Sequence, residues 1–185
     1  MSRHEGTPVA PARTDDAPSR SAHVRRVLPI PATRAWSLLT DVRNHARWVP
    51  LTSIDAPPAM VVGDSFTAVS LPQLGRLGLV DTMVLERFDA PHDAPGQAGS
   101  PHAPAGVARY VKTGPVLRGW AEVRVRPLGP THCEVTWVER ITLRGVPGLL
   151  TDAVSRPLTR AMLHHVLAAV AREIGEPRND QPSQA

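Results

Sequence analysis

The stretch "CEVTWVERITL", Cys133 to Leu143, puts a carboxylate where a sheet should be apolar. Its composition is that of a β-strand, and strand side chains alternate between two faces. One parity collects Cys133, Val135, Trp137, Glu139, Ile141 and Leu143; the other collects Glu134, Thr136, Val138, Arg140 and Thr142. The first set is the core face by composition, yet Glu139 stands in its middle, two residues from Trp137. Burying even a neutral polar group unpaired costs roughly 2–7 kcal/mol, and a carboxylate more.

Other residues with chemical potential fall away on spacing. Eight histidines prompt a search for metal ligands, but there is no HExxH and no cysteine–histidine spacing of a zinc site. His164 and His165 diverge by about 100° on a helix and cannot share an ion. No metal and no cofactor is expected. A GxSxG elbow is absent. Cys133 follows His132, but strand neighbours face opposite sides, so Cys133 reads as a small core residue. "GSPHAPAG" lacks the lysine and the strand–helix setting of a phosphate loop. Trp36, Trp48, Trp120 and Trp137 are the tryptophans, with Trp36 and Trp48 read as packing area. Tyr110, the only tyrosine, shares a strand with Arg109 and Lys112; its hydroxyl either orients a ligand or, the simpler reading, reaches water at a sheet edge.

Composition narrows the class. The 185 residues suit one domain with a sizeable core. No apolar run approaches the roughly 18–20 residues of a membrane span, and "MSRHEGTPVAPARTDDAPSRSA" has no apolar core of a secretory signal. One cysteine excludes an internal disulfide. The expected compartment is the cytoplasm. A net charge of +4 would permit a nucleic-acid partner, but the arginines are scattered without a basic run or interleaved aromatics. No nucleic-acid partner is therefore expected. Lys112 is the only lysine, in keeping with an Arg-, Ala- and Pro-rich composition.

The elements that must position these residues follow from pattern. Residues 1–22 and 176–185 are polar and Pro-rich and predict disordered tails; residues 23–175 form the domain. "HVRRVLPI" predicts a strand. "PATRAWSLLTDVRNHARWVP" predicts a helix with Pro31 in its first turn and an apolar stripe of Ala35, Trp36, Leu38 and Leu39. A second short helix follows around Asn44 to Trp48. From Leu51 to Leu143 strands alternate with turns. "AEVRVR" turns Ala121, Val123 and Val125 to one side and Glu122, Arg124 and Arg126 to the other, the mark of an antiparallel sheet with one wet face. Residues 90–106 are too long for a tight connection and predict a flexible loop. From Pro157 to Ile174, Leu158, Met162, Leu163, Val166, Leu167, Val170 and Ile174 make one helical face. "GVPGLLTDAVSR" before it is either a first turn or a hinge.

Three segments carry a resemblance. "VLPIPATRAWSLLTDVRNHARWVP" is similar to the "PxxxVWxLLxDxxxxxxWxP" opening of the polyketide cyclase/dehydrase and lipid-transport branch of the START-like (SRPBCC) superfamily. "VVGDSFTA" resembles its glycine-containing turn, and "THCEVTWVERI" is close to its "T.V.W.E" strand. The resemblance implies an α+β helix-grip fold. A curved antiparallel sheet of about seven strands would wrap a long C-terminal helix, with two short helices after the first strand. It also implies a gap between sheet and helix that takes a hydrophobic small molecule. Trp137, Glu139, Val135, Val123, Tyr110, Met162 and Val166 are the expected lining, around several hundred Å³, roughly the usual size of such sites.

Glu139 then has three readings. It pairs with Arg109 or Arg124 and closes one end of the sheet; a β-bulge turns it outward; or it enters the cavity and binds a ligand hydroxyl or acts as general acid/base. The functions implied are a carrier or binder of a lipid, quinone or polyketide-like molecule; a cyclase/aromatase-type enzyme with Glu139 catalytic; or a protein-interaction module. Oligomeric state is not specified by any of these residues.

Overall fold

The computed structural model describes residues 20–71, 73, 78–91 and 104–175. The expected tails and most of the long loop lie outside the described residues. Seven strands form one curved antiparallel sheet in the order β1-β7-β6-β5-β4-β3-β2. They are β1 (Ala22–Leu28), β2 (Thr52–Asp55), β3 (Ser65–Ser70), β4 (Leu79–Asp89), β5 (Gly106–Lys112), β6 (Leu117–Pro127) and β7 (Cys133–Leu143). Between β1 and β2 come α1 (Ala32–Thr40), a 3-10 turn (Val42–Asn44) and α2 (His45–Trp48); α3 (Gly148–Gly175) closes the chain. This is the helix-grip α+β architecture that the sequence implies.

Alternation explains the sheet. β5 buries Ala108, Tyr110 and Lys112, while β7 buries Cys133, Val135, Trp137 and Glu139. The β6–β7 register runs unbroken from Leu117↔Leu143 to Pro127↔Cys133. No bulge therefore intervenes at Glu139, and that reading falls. A bulge does occur in β4 between Leu85 and Arg87, where an extra residue bends a strand and increases its twist. Gly119 is required where it stands: its φ is +121°, and a Cβ there would meet the Arg140 carbonyl oxygen at 2.0 Å.

The two short helices plug the side of the sheet. α1 buries Ala35, Trp36 and Leu39, and Trp36 stands 5.1 Å from Phe88, centroid to centroid. Trp48 Nε1 donates to Glu173 Oε2 at 2.6 Å, and Arg47 Nη2 to Glu173 Oε1 at 2.7 Å, which ties α2 to the far end of α3. The packing role expected of Trp36 and Trp48 fits these contacts.

α3 departs from expectation. The apolar stripe predicts a start at Pro157, but the helix begins at Gly148 and carries Pro157 inside it. Pro157 cannot donate to the carbonyl one turn back, and beside it Ser155 Oγ donates to Ile141 O at 3.2 Å, tying this turn to β7. The segment was unreadable as this helix because its inward side is polar. Thr151 and Thr159 are the buried residues before Leu163, Val166, Leu167 and Val170 take over. On the opposite face of the sheet, Glu122 is also not the water-facing residue its parity suggests. It is 5% exposed, covered by Arg109 Nη1 at 3.2 Å and Arg124 Nη2 at 2.5 Å.

Candidate functional site

A cavity of about 150 Å³ lies between the inner face of the sheet and α3. Its wall is mainly apolar: Ile54 and Phe66 from β2 and β3, Met83 from β4, Val123 from β6, Met162 and Val166 from α3. Phe66 meets Tyr110 edge-on at 5.8 Å. The volume is well below the several hundred Å³ expected, and large side chains, Trp137, Tyr110, Phe66 and two methionines, line it. A dry cavity of roughly this size holds one benzene-sized guest.

Set into that wall is an ionic cluster. Lys112 Nζ, on a side chain 1% exposed, reaches Glu139 Oε1 at 2.8 Å and also contacts Asp81 Oδ2. Its remaining direction points to Met83 Sδ at 3.7 Å, so all three ammonium hydrogens have a recipient. The register makes the contact feasible: Ala121 of β6 stands opposite both Tyr110 and Glu139, and its methyl leaves room for a long side chain to cross. Burial works against the ammonium. The Glu139 and Asp81 charges, with their hydrogen bonds, outweigh it and hold the Lys112 pKa above the ordinary lysine value. A single ammonium cannot fully support two carboxylates, and Asp81 is the loser. Burial, reinforced by the Glu139 charge, raises its pKa against the pull of Lys112.

Two polar atoms of the wall are buried without a hydrogen-bond partner, Asp81 Oδ1 and Trp137 Nε1. His45 stands beside Trp137. Its Nε2 lies 2.9 Å from the Leu39 carbonyl, which fixes the neutral ring as the Nε2–H tautomer, and the ring packs 5.3 Å from Trp137. Burial lowers its pKa more than the Leu39 carbonyl and the Glu139 charge raise it, so the imidazole stays neutral. Burial likewise pushes the Tyr110 phenol up. The arrangement offers a neutral base, a carboxyl that takes a proton readily, and an indole donor, all around an apolar hole.

The sequence-named residues divide as follows. Trp137, Glu139, Val123, Tyr110, Met162 and Val166 line the cavity. Val135 is fully buried but packs in the core away from it. Glu139 is paired, though with Lys112 and with neither arginine: Arg109 and Arg124 sit on the other face with Glu122. Tyr110 is 4% exposed, so the sheet-edge reading of its hydroxyl is corrected. Lys112, Asp81 and His45 were missed. The signal for Asp81 was the one that exposed Glu139: "LVDTMVL" has Leu79, Asp81, Met83 and Leu85 on one parity. The signal for Lys112 was a lone lysine sharing parity with Tyr110.

A larger depression of about 550 Å³ lies on the outer face beside His23, Trp120 and Thr136. Its arginines are already spent: Arg25 and Arg126 reach Glu134 at 3.6 and 3.0 Å. Among the described residues no group of three or more His, Cys, Asp or Glu side chains could hold a metal. No helix among them is long and apolar enough to cross a membrane.

A bent sheet gripping a C-terminal helix over a lined cavity defines a START-like protein. The chain belongs to the family described as polyketide cyclase/dehydrase and lipid transport, which matches residues 19–175. No curated protein matches it in sequence. Among solved structures it is similar to a START superfamily protein from Mycobacterium smegmatis, with a TM-score of 0.58 and 12% identity over 83% of this chain and 98% of that one. It is similar to a point mutant of norcoclaurine synthase of Thalictrum flavum in complex with a transition-state analogue, at 0.54 and 12% over 83% and 92%. It also resembles the di-domain ARO/CYC BexL of the BE-7585A biosynthetic pathway, at 0.54 and 14% over 84% of this chain and 46% of that one. At these identities the likeness is one of fold.

Proposed function

We propose that the protein binds one compact, mostly apolar small molecule in the cavity, with its polar group turned to Asp81 or, further along the sheet, to Trp137. The observation that carries the reading is the presence of two unpartnered buried atoms, Asp81 Oδ1 and Trp137 Nε1, in a mainly apolar wall. Each lacks a bond worth about 1–3 kcal/mol when a buried group goes unsatisfied, and a ligand hydroxyl, carbonyl or amine supplies it. Only the compact ring portion of a quinone or polyketide-like molecule matches about 150 Å³; a full lipid chain needs the cavity to widen.

A second reading, a cyclase- or dehydratase-type enzyme, is favoured by one feature. Asp81 has a raised pKa beside the guest space, which suits proton donation to a carbonyl or a leaving hydroxyl. In that reading Glu139 holds Lys112 in place and Asp81 is the acid.

The test is fluorescence titration and native mass spectrometry with naphthol, menadione and a lysolipid, on the native chain and on Ala68→Phe, which fills the cavity from β3. Retention of a ring compound by the native chain and its loss in Ala68→Phe is expected. Equal behaviour of the two proteins toward every compound would exclude the cavity as the binding site. Turnover of a polyketide-like substrate that disappears in Asp81→Asn, with binding retained, would favour the enzyme.

A further inference from the structure

The first half of α3 is built inside out. Leu150, Val154 and Leu158 recur every four residues, one face of a helix, and are 64%, 70% and 70% exposed, with Leu149 beside them at 74%. The side turned to the sheet carries Thr151, Asp152, Ser155 and Thr159 instead. A helix held only by the core would carry these two sets the other way round.

The apolar face continues around the open end of the cavity. α3 starts where β7 ends, and Val146, in the turn between them, is 41% exposed. Val116 is 47% exposed, and its carbonyl accepts from Arg144 N at 2.9 Å. Leu79 lines the cavity yet is 44% exposed, so the wall is open at this end. Leu51 and Leu71, joined by a 2.7 Å backbone bond, stand at the same end beside the Thr52↔Ser70 pair. Both hold left-handed backbones, φ 55° and 56°, where a glycine would avoid a cost of order 1–3 kcal/mol. Their side chains are 62% and 37% exposed.

Among the described residues the exposed charge on this end has one sign. Arg118, Arg144, Arg156 and Arg160 are exposed, and none has an ion-pair partner among the described residues. Between Ile141 and Arg172 the only carboxylate is Asp152, turned inward with its side chain 13% exposed. A second copy fits poorly, since a two-fold contact would set these arginines against each other. Residues 1–19 have almost nothing apolar to cover the face. Leucines ringed by arginines, with no carboxylate among them, match the surface of an anionic bilayer.

We propose that this end of the protein docks on an anionic membrane surface, α3 lying in the interface with the cavity mouth toward the lipid. Leu149, Leu150, Val154 and Leu158 enter the headgroup–acyl boundary while the four arginines meet lipid phosphates. The docking needs no cavity ligand and stands apart from what the cavity holds.

Co-sedimentation with vesicles of phosphatidylcholine, with and without phosphatidylglycerol, tests this on the full chain. Binding is expected only with phosphatidylglycerol, weakening with salt. Leu150→Ser/Val154→Ser/Leu158→Ser, all at exposed positions, should keep the native circular dichroism and lose at least about tenfold in partitioning. Arg156→Glu/Arg160→Glu should lose about fivefold or more per arginine. The cavity-filled Ala68→Phe should bind vesicles as the native chain does, which separates this surface from the cavity reading. Equal binding to both vesicle types, no binding to either, or a triple-serine variant that partitions unchanged overturns the proposal. So does a dimer, seen by analytical ultracentrifugation, that the serine substitutions abolish in a chain that ignores vesicles.

Discussion

Lys112→Met isolates the physics of the cluster. The ammonium lies 2.8 Å from Glu139, whose side chain is 5% exposed, and touches Asp81, whose side chain is 15% exposed. Removing it leaves two buried carboxylates facing each other with no cation. Breaking one buried pair in this way costs about 3–5 kcal/mol, against a total stability of about 5–15 kcal/mol for a domain. Above neutral pH the variant should therefore sit near the edge of folding. The pH dependence carries the sharper test. Asp81 already has a raised pKa from burial and the Glu139 charge, and without Lys112 the pull that opposes this is gone. A raised folded pKa favours the protonated state, so stability is retained at low pH and lost as pH rises through the folded Asp81 value. Urea denaturation of both proteins at about pH 5 and pH 8 should show a deficit that widens with pH. Glu139→Gln keeps an acceptor for Lys112 and should lose only about 1 kcal/mol. A Lys112→Met deficit under about 1 kcal/mol, or one that does not move with pH, would mean that Lys112 is solvated as a surface pair is, and the account of the cluster would fail.

Further outcomes follow from single residues. Burial holds the His45 pKa below its ordinary value, so its contribution is complete above about pH 6.5 and lost as pH falls toward the folded pKa. His45→Gln should flatten the stability profile between about pH 7 and pH 5, measured by thermal unfolding; an unchanged slope would place the imidazole in water. Gly119→Ala drives a methyl into the Arg140 carbonyl at 2.0 Å from a backbone at φ +121°. It should cost about 3 kcal/mol or more, and a loss below about 1 kcal/mol in urea would contradict the β6–β7 geometry. Cys133 is fully buried with its thiol pushed up to about 11. It should label with a disulfide reagent only as fast as the chain unfolds, so rapid labelling in the folded state would be inconsistent with this strand.

Most of the architecture was legible because period-two and period-four patterns write it directly. Cys133, Val135 and Trp137 fixed the inner face of β7, and Leu163, Val166, Leu167 and Val170 the gripping half of α3. Glu139 stood out because it broke its pattern, and the inference that it points inward follows from parity alone. Its partner was not legible, since the Lys112 contact depends on which strands are neighbours and on the residue pairing between them. Arg109 and Arg124 were attractive as partners only by charge; their parity opposes that of Glu139 once Tyr110↔Ala121↔Glu139 is aligned. The start of α3 failed for a different reason. A helix half with Thr151, Ser155 and Thr159 inward is not shaped by the core, and periodicity reads only what the core shapes.

The odd charge in the cluster gives the guest a signature that depends on its own chemistry. Two carboxylates share one ammonium, and Asp81, with Oδ1 unpartnered, is the group whose pKa burial raises. A guest that presents a carbonyl there must receive a hydrogen bond, so Asp81 has to carry a proton. Its affinity then falls as pH rises through the Asp81 pKa, by up to about tenfold per unit. A guest that presents an amine or hydroxyl donates to the carboxylate instead, displaces the proton, and binds more tightly as pH rises to the same pKa. Trp137 Nε1 can only donate, so a guest long enough to reach it also needs an acceptor there. Titrating a retained ring compound between about pH 5 and pH 8 reads the sign directly, and Asp81→Asn should flatten it. A dissociation constant that is level across that range in the native protein would mean the guest never meets Asp81, and the polar end of the cavity would then have to be sought at His45 and Tyr110.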